Sequence, residues 1–376
     1  MDYRAFPKGG EAISTVGIGG SKLHAVSDET MKTMVDYAIA NGINIIDLAT
    51  ETAEVFPKVR KALAGRRDRV MLALHLGLTF QDDGQYKRTR DLEEVRRGFE
   101  KQLADLDTDY ADIAYIHYVD DFDDYERVFA EGTYDFGLQL KREGRIKKLG
   151  FASHRVDVAR KFLEQGDFDL FMFSINPAYD LDPVANNPLE EDWSAMNSLN
   201  VAEERVALYR LAEKLGVGIT VMKPLGAGRL LDGRTSPFGR ALTVPQCLQY
   251  CLDRPAVLSC MLGADSVENL TDWIAYYDST CEERDYAFIA DLHFEEMLGK
   301  CMYCNHCLPC PVNIDIARVN KFLDLAQVGD ELARQHYLAL EHKAGDCIEC
   351  GSCEGNCPFQ VPVRDKMKQA AELFGA

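Results

Sequence analysis

Eight of the twelve cysteines fall between residues 301 and 357, in two tight runs. The first is Cys301-Met-Tyr-Cys304-Asn-His-Cys307-Leu-Pro-Cys310-Pro311 and the second Cys347-Ile-Glu-Cys350-Gly-Ser-Cys353-Glu-Gly-Asn-Cys357-Pro358. Two-residue gaps let successive thiolates converge on one face of a metal–sulfur cubane, after which Cys-Pro turns the chain away. A pair of structural zinc sites is the competing chemistry, since CxxC pairs also bind zinc. Two groups of four, each closing on Cys-Pro, favour iron–sulfur clusters. His306 lies between two of these cysteines and reads as a solvent-facing loop residue rather than a ligand. Cys247, Cys251, Cys260 and Cys281 are scattered and read as buried thiols.

The spacing is similar to that of two-cluster bacterial ferredoxins, in which the fourth cysteine of each run serves the other cluster. That resemblance implies one [4Fe–4S] cluster on Cys301, Cys304, Cys307 and Cys357. It implies a second on Cys347, Cys350, Cys353 and Cys310. The first run is one residue shorter before its last cysteine than the usual form.

These runs occupy only the end of a 376-residue chain, long enough for two domains or for one large barrel with a small module. The net charge is 42 − 61 = −19. This argues against nucleic acid and anionic membrane as partners, because phosphate binding needs clustered Lys and Arg. No apolar run is long enough to span a bilayer and the start MDYRAFPKGG does not read as a signal peptide. The expectation is a cytoplasmic protein.

Residues 1–280 alternate strand-like and helical patterns. The strands are predicted at Ile13–Gly19, Ile43–Leu48, Val70–Leu76, Ile113–Tyr118, Lys148–Ser153, Leu170–Ile175, Gly218–Lys223 and Val257–Leu262. Between them lie the helical segments Asp28–Asn41, Phe56–Leu63, Leu92–Ala104, Val156–Glu164 and Ala202–Leu215, with Asp28 and Ser266 as N-caps. Eight strand–helix units in this length fit a (β/α)8 TIM barrel better than an open sheet. From 281 to 376 the strand rhythm stops. A helix around Phe288–Leu298 and a helical stretch Ile316–Glu341 accompany the cysteine runs, giving a small, mostly α, ferredoxin-like iron–sulfur domain.

The barrel half resembles the aldo/keto reductase family, in particular its members with a C-terminal ferredoxin-like domain. The resemblance rests on Gly42-Ile-Asn-Ile-Ile-Asp47, Asp109-Tyr-Ala-Asp-Ile-Ala-Tyr-Ile-His117, Ile146-Lys-Lys-Leu-Gly-Phe-Ala-Ser153 and Val221-Met-Lys-Pro-Leu-Gly-Ala-Gly-Arg229, and continues through Gly263. It implies carbonyl reduction with a nicotinamide and a catalytic Asp, Tyr, Lys and His at early strand ends. Asp47 and His117 match two of these. The Tyr position is Thr52 and the Lys position is His75. A Thr hydroxyl is far too weak an acid to replace the Tyr. His75 beside Asp47 can donate a proton near neutral pH, and Tyr118 or Tyr179 at strand ends offers a substitute hydroxyl. On period-2 strands Asp47, His75 and His117 each take the last inward-facing position, where barrel active sites are built. His154 ends the fifth strand, but the spacing does not force a metal among the three histidines.

The cofactor positions that the resemblance carries over are Ser153, Asn176, Leu225, Gly226, Gly228 and Gly263. The glycines serve either a pyrophosphate or tight turns. The stacking position is Ile175, and Asp265 opposes a 2′-phosphate. NADP(H) or NAD(H) therefore stays open, and a flavin is possible but nothing in the sequence marks one. The favoured reading is an iron–sulfur oxidoreductase acting on a small organic substrate at the barrel mouth. Its electrons enter through two [4Fe–4S] clusters from a ferredoxin, flavodoxin or flavoprotein. The alternatives are an NAD(P)H-dependent aldo/keto reductase with an altered tetrad and a non-catalytic electron-transfer subunit.

Overall fold

Twelve strands order the chain in a computed structural model that describes residues 1–81, 84, 86–180, 203–291, 299, 301, 307–327, 333–357 and 359–375. They are β1 Tyr3–Ala5, β2 Ala12–Ser14, β3 Val16–Gly19, β4 Ile45–Asp47, β5 Met71–Leu76, β6 Leu78–Phe80, β7 Tyr86–Arg88, β8 Ala111–Ile116, β9 Ile146–Ser153, β10 Leu170–Ser174, β11 Gly218–Met222 and β12 Val257–Gly263. Eight of them close a barrel in the order β3-β4-β5-β8-β9-β10-β11-β12, with β12 pairing back onto β3. Every rung is parallel. These are short, mostly apolar runs largely buried on both faces, as parallel strands under a helical layer must be.

Alternate residues fill the interior. Ile45, Met71, Ala73, Ile113, Tyr115, Ala152, Leu170, Met172, Leu258 and Met261 form one buried cluster, to which the amino-terminal hairpin β1–β2 adds Phe6 and Ile13. Gly17 is needed here, because a Cβ at that position would lie 2.4 Å from Ile45 Cγ2 and 2.6 Å from Met261 Cε.

The predicted strand Ile13–Gly19 is two elements. Ile13 belongs to the antiparallel hairpin, and only Val16–Gly19 enters the barrel. The helices lie where predicted within two residues, at Asp28–Ala40, Val55–Ala62, Leu92–Leu106, Val156–Gln165 and Glu203–Leu215. Ser266 caps its helix by accepting from Asn269 N–H. Asp28 is not a cap: Ser27 accepts from Thr30 N–H, while Asp28 is the first helical residue and pairs with Lys61. A carboxylate in the first turn still favours the helix through its dipole. Cys247, Cys251 and Cys260 are buried, but Cys281 is exposed, on the single helical turn Cys281–Arg284.

The chain divides into two compact units. The first, residues 1–175, 206–224 and 244–284, holds the barrel. The second takes in 285–376 together with residues 176–205 and 225–243. Its helices are Ile316–Gln327, Ala333–Leu338, Ser352–Gly355 and Val363–Phe374. Most of the predicted helix Phe288–Leu298 lies outside the described residues. Among the described residues no helix is long and apolar enough to cross a membrane.

Candidate functional site

Asp47 ends β4 and His75 lies near the end of β5, both turned into the barrel by the strand pleat and both almost wholly buried. Asp47 Oδ1 stands 2.8 Å from His75 Nε2. His117 directly follows β8, its backbone N–H donating to Leu76 O at 2.9 Å. Its Nδ1 lies 3.1 Å from His75 Nδ1, and its Nε2 lies 2.8 Å from the Tyr86 hydroxyl. Four side chains thus form one continuous line, Asp47–His75–His117–Tyr86. With Asp47 ionised and both histidines neutral, the donors and acceptors fit in one way. His75 Nε2–H donates to the carboxylate, His117 Nδ1–H donates to His75 Nδ1, and Tyr86 O–H donates to His117 Nε2. Burial above all, then the nearby His75, Arg90, Arg88 and His154, holds His117 well below the ordinary histidine range. Its imidazole is neutral at physiological pH. Burial likewise raises Tyr86, with Tyr118 adding to the effect.

The sequence reading did not include Tyr86. It sits on β7, which pairs antiparallel with β6 in a hairpin following β5. The entry to that hairpin is Gly77, at φ +92°, where a Cβ would lie 2.6 Å from Thr89 O. Gly77 O in turn accepts from Thr89 N–H, closing the base of the hairpin. The signal was available: Asp83-Gly84 between Leu78-Thr79-Phe80 and Tyr86 is a hairpin-turn dipeptide.

A second set of groups fixes the end of β8. Arg90, fully buried, binds Asp124 through Nε (2.9 Å) and Nη2 (2.7 Å) and donates to the carbonyls of His117 and Tyr118. Arg88 reaches the same carboxylate at 3.2 Å and covers the Tyr118 ring at 4.6 Å. Tyr118 is thus packed against His117 and beneath Arg88, and the hydroxyl that reaches His117 is that of Tyr86. His154 pairs with Asp120, through Nδ1 at 2.8 Å and through its backbone N–H at 2.7 Å, and has no hydrogen bond to the other two histidines. Thr52 is half-buried ahead of the helix Val55–Ala62 and is not part of the line.

In the second unit, Cys310, Cys347, Cys350 and Cys353 line one cavity with Ile314, Ile316, Val363 and Met367 among its apolar walls. Cys301, Cys357 and Cys353 all lie near Cys307. Burial first, then the neighbouring Cys301 and Cys357, pushes the Cys307 thiol up. Cys304 and His306 lie outside the described residues. Asn320, wholly buried, donates from Nδ2 to Cys301 Sγ at 3.4 Å, and Val361 N–H donates to Cys357 Sγ at 3.5 Å. Arg229 binds the Cys301 carbonyl and pairs with Asp324 at 3.6 Å. Among the described residues no three His, Cys, Asp or Glu side chains converge as a single-ion shell. Thiols spread over the wall of a cavity suit a multi-atom cluster, and the hydrogen bonds to sulfur suit thiolates.

Residues 15–247, more than half of the chain, match the aldo/keto reductase family. The chain belongs to that family. Residues 300–362 match the 4Fe-4S dicluster domain. Among aldo/keto reductase relatives, the chain is 28% identical over 280 residues to the uncharacterized oxidoreductase YqkF of Bacillus subtilis, covering 69% of this chain and 86% of that one. It is 27% identical over 314 residues to L-galactose dehydrogenase of Arabidopsis thaliana, covering 73% and 88%. The holo form of the aldo-keto reductase AKR11C1 from Bacillus halodurans superposes with a TM-score of 0.61 at 22% identity, over 78% of this chain and 96% of that one. The protein is therefore an aldo/keto reductase-like oxidoreductase carrying an iron–sulfur domain.

The positions that an aldo/keto reductase would turn to a nicotinamide have partners within the chain. Ser153 donates its hydroxyl proton to Val119 O at 2.7 Å and accepts from Arg155 N–H. Asn176 Oδ1 caps the turn Pro177–Asp180 by accepting from Tyr179 N–H. Gly226, Ala227 and Gly228 all have positive φ, and Gly228 N–H closes a turn on Leu225 O. Ile175 is fully buried. Gly263 leaves room for Ser21, whose Oγ would lie 2.7 Å from a Cβ there. Asp265, beyond it, is paired with Lys22 at 3.0 Å. Each of these residues is thus engaged within its own unit of the fold.

Proposed function

We propose that the chain is an iron–sulfur oxidoreductase that acts on a small organic substrate at the C-terminal mouth of the barrel, with Asp47, His75 and His117 handling protons and electrons entering through two [4Fe–4S] clusters. The observation that carries this is the buried hydrogen-bonded line through Asp47, His75 and His117, in the place where the family's Tyr and Lys have been lost. An acid–base system has been rebuilt there from different residues, while the backbone and side-chain positions for hydride delivery serve the fold. Cys301, Cys304, Cys307 and Cys357 would hold one cluster and Cys310, Cys347, Cys350 and Cys353 the other. When bound, these groups supply one-electron transfer. The chain's own contributions are to hold His117 neutral by burial, to orient His75 with a carboxylate, and to fix the end of β8 with Arg90.

A ferredoxin, flavodoxin or flavoprotein is the proposed donor. With a net charge of −19 the chain favours a partner with a basic docking patch, so salt should slow electron delivery.

The test is a titration of the anaerobically purified, cluster-loaded protein with NADPH and NADH, followed by binding and by cluster bleaching. It is paired with turnover of a panel of small carbonyl compounds under reduced ferredoxin. The proposal expects no nicotinamide binding, and turnover with ferredoxin that His75→Ala abolishes. Tight NADPH binding with turnover would replace it by a nicotinamide-dependent reductase. Failure of both routes, with electron transfer intact in His75→Ala, would leave an electron-transfer subunit.

A further inference from the structure

We infer that Tyr86 is the outer terminal of a one-proton relay, the group through which Asp47, His75 and His117 exchange a proton with whatever occupies the barrel mouth. This rests on the reading of the barrel as a reaction site and names the residue that meets the substrate there. Asp47, His75 and His117 are all nearly inaccessible, so none of them offers a polar atom to a bound molecule. Tyr86 is half-buried, its hydroxyl is the one that bonds His117 Nε2, and on its other side it meets the Tyr118 side chain. A hydroxyl both donates and accepts, so it passes a proton on without keeping a charge.

The line has two polarities, without and with an added proton on the Asp47–His75 pair. With the proton added, His75 Nε2–H still faces Asp47, His75 Nδ1–H faces His117 Nδ1, and His117 Nε2–H faces the Tyr86 oxygen. The Tyr86 proton then points away from His117. When an oxyanion forms on a substrate, the Tyr86 O–H bond breaks and a substrate O–H bond forms. Tyr86 regains a proton from His117 Nε2, and His117 Nδ1 takes that of His75 Nδ1. One proton has left the Asp47–His75 pair, and His75, His117 and Tyr86 end neutral with the hydrogen bonds from His75 Nδ1 outward reversed. Reloading runs the same steps backward from solvent through Tyr86. No electron moves in the relay.

This arrangement also accounts for the direction in which the environment moves these groups. A lone phenol made less acidic by burial is a poor proton donor. In the relay Tyr86 is replenished as it gives, so no phenolate has to persist. His117, held neutral by burial above all and then by His75, Arg90 and Arg88, is a conductor and not a store. The store is the Asp47–His75 pair.

The test uses the full, oxidised, cluster-loaded chain with 15N-labelled histidine. Wild type should show His75 protonated on Nε2 and His117 protonated on Nδ1, with His117 Nε2 a hydrogen-bond acceptor. Tyr86→Phe keeps the ring packed against His117 and removes only the hydroxyl. It should abolish the acceptor signature at Nε2 and slow solvent exchange of the His75 N–H at least tenfold. Unchanged exchange, or the opposite tautomers in wild type, overturns the relay whether or not a substrate is ever found. Where wild type turns over 9,10-phenanthrenequinone under dithionite-reduced methyl viologen, Tyr86→Phe should lose about 10²–10⁴-fold in rate, the usual contribution of general acid catalysis. Loss in His75→Ala without loss in Tyr86→Phe sinks the Tyr86 role alone. Loss in neither sinks the barrel-site reading on which it rests.

Discussion

The barrel and the cysteine unit prepare their chemistry in opposite ways. In the barrel the polar side chains at the site are paired with other parts of the fold: Asp47 with His75, His117 with Tyr86, Arg90 with Asp124. Strand register sets these distances, and the surrounding apolar core holds them. In the second unit the thiols of Cys310, Cys347, Cys350 and Cys353 line a cavity with apolar neighbours. The geometry of the first site comes from packing. The order of the second depends on what its thiolates bind, because metal-binding free energy in a small module is folding free energy.

The sharpest way to break this contrast is to remove one cluster ligand. Cys353→Ser should eliminate about half of the visible iron–sulfur absorbance and give the second unit an early unfolding transition of its own. The histidine line of the barrel should keep its tautomers. Scanning calorimetry and visible absorbance read the two parts separately. A barrel transition that falls along with the cysteine unit would show that the barrel site is not self-sufficient.

Within the barrel the largest effect should come from Asp124. It is the carboxylate for buried Arg90 and also belongs to the first turn of the helix Phe122–Ala130, where its N–H is capped by Asp121 at 2.6 Å. Asp124→Ala leaves the Arg90 charge buried without its partner, which costs about 3–5 kcal/mol. Urea unfolding should show that loss. Because Arg90 also holds the carbonyls of His117 and Tyr118, the same variant should disturb the Tyr86–His117 bond. A loss below about 1 kcal/mol would mean that packing alone positions β8.

A smaller effect follows from pH. The groups that face His117 are His75, Tyr86, Tyr118, Arg88, Arg90 and His154. Burial first, then His75, Arg90, Arg88 and His154, depresses His117 below the ordinary histidine value of 6.5. His154 is lowered as well, by burial first and then by Lys223, against the pull of Asp120. In the unfolded chain both histidines take up protons near pH 6.5, before the folded protein does. The stability this contributes is complete above that pH and is lost as pH falls from about 6.5 toward the folded values. The urea midpoint of the barrel should therefore decline from about pH 6.5 downward, and His117→Gln should flatten part of the decline. A midpoint that is level from pH 7 to 5 would contradict the neutral relay.

What the sequence made legible, and what it hid, follows the same division. All eight barrel strands could be read, because each is a short apolar run between amphipathic helices. The meeting of Asp47, His75 and His117 could be read too, since period-2 pleating on adjacent parallel strands leaves little freedom. Tyr86 could not be read in this way. Its place depends on a hairpin that folds back over the barrel end from Gly77, and hairpins on strand ends leave no barrel periodicity. Asp120 and Asp124 were hidden for a related reason: they lie on the segment after β8, where the sequence reads only as a run of acids. Asp28 was misread as a cap because Ser27 and Asp28 are both capping residue types, and only the backbone angles separate them. The cysteine assignment comes by analogy with a known spacing, because the two runs alone do not say which cluster each fourth cysteine serves.

The smallest predicted effect concerns Asp265 and Lys22. Their ion pair is exposed, with side chains 44% and 52% accessible, so Asp265→Asn should change stability by less than about 1 kcal/mol. Its value lies in ligand binding. The sequence reading took Asp265 as an anion that opposes a 2′-phosphate, yet Lys22 stands beside it and largely offsets that charge. Removing the carboxylate frees one cation at the end of β12 without disturbing the histidine line. If NADPH binding were blocked only by this carboxylate, Asp265→Asn should admit it, with an affinity that weakens with salt. The expected result is that no binding appears, because Ile175, Ser153 and Asn176 are still committed to the barrel and its loops. Tight, salt-sensitive NADPH binding by this variant would show instead that the family's cofactor site has been retained, with one charge closing it.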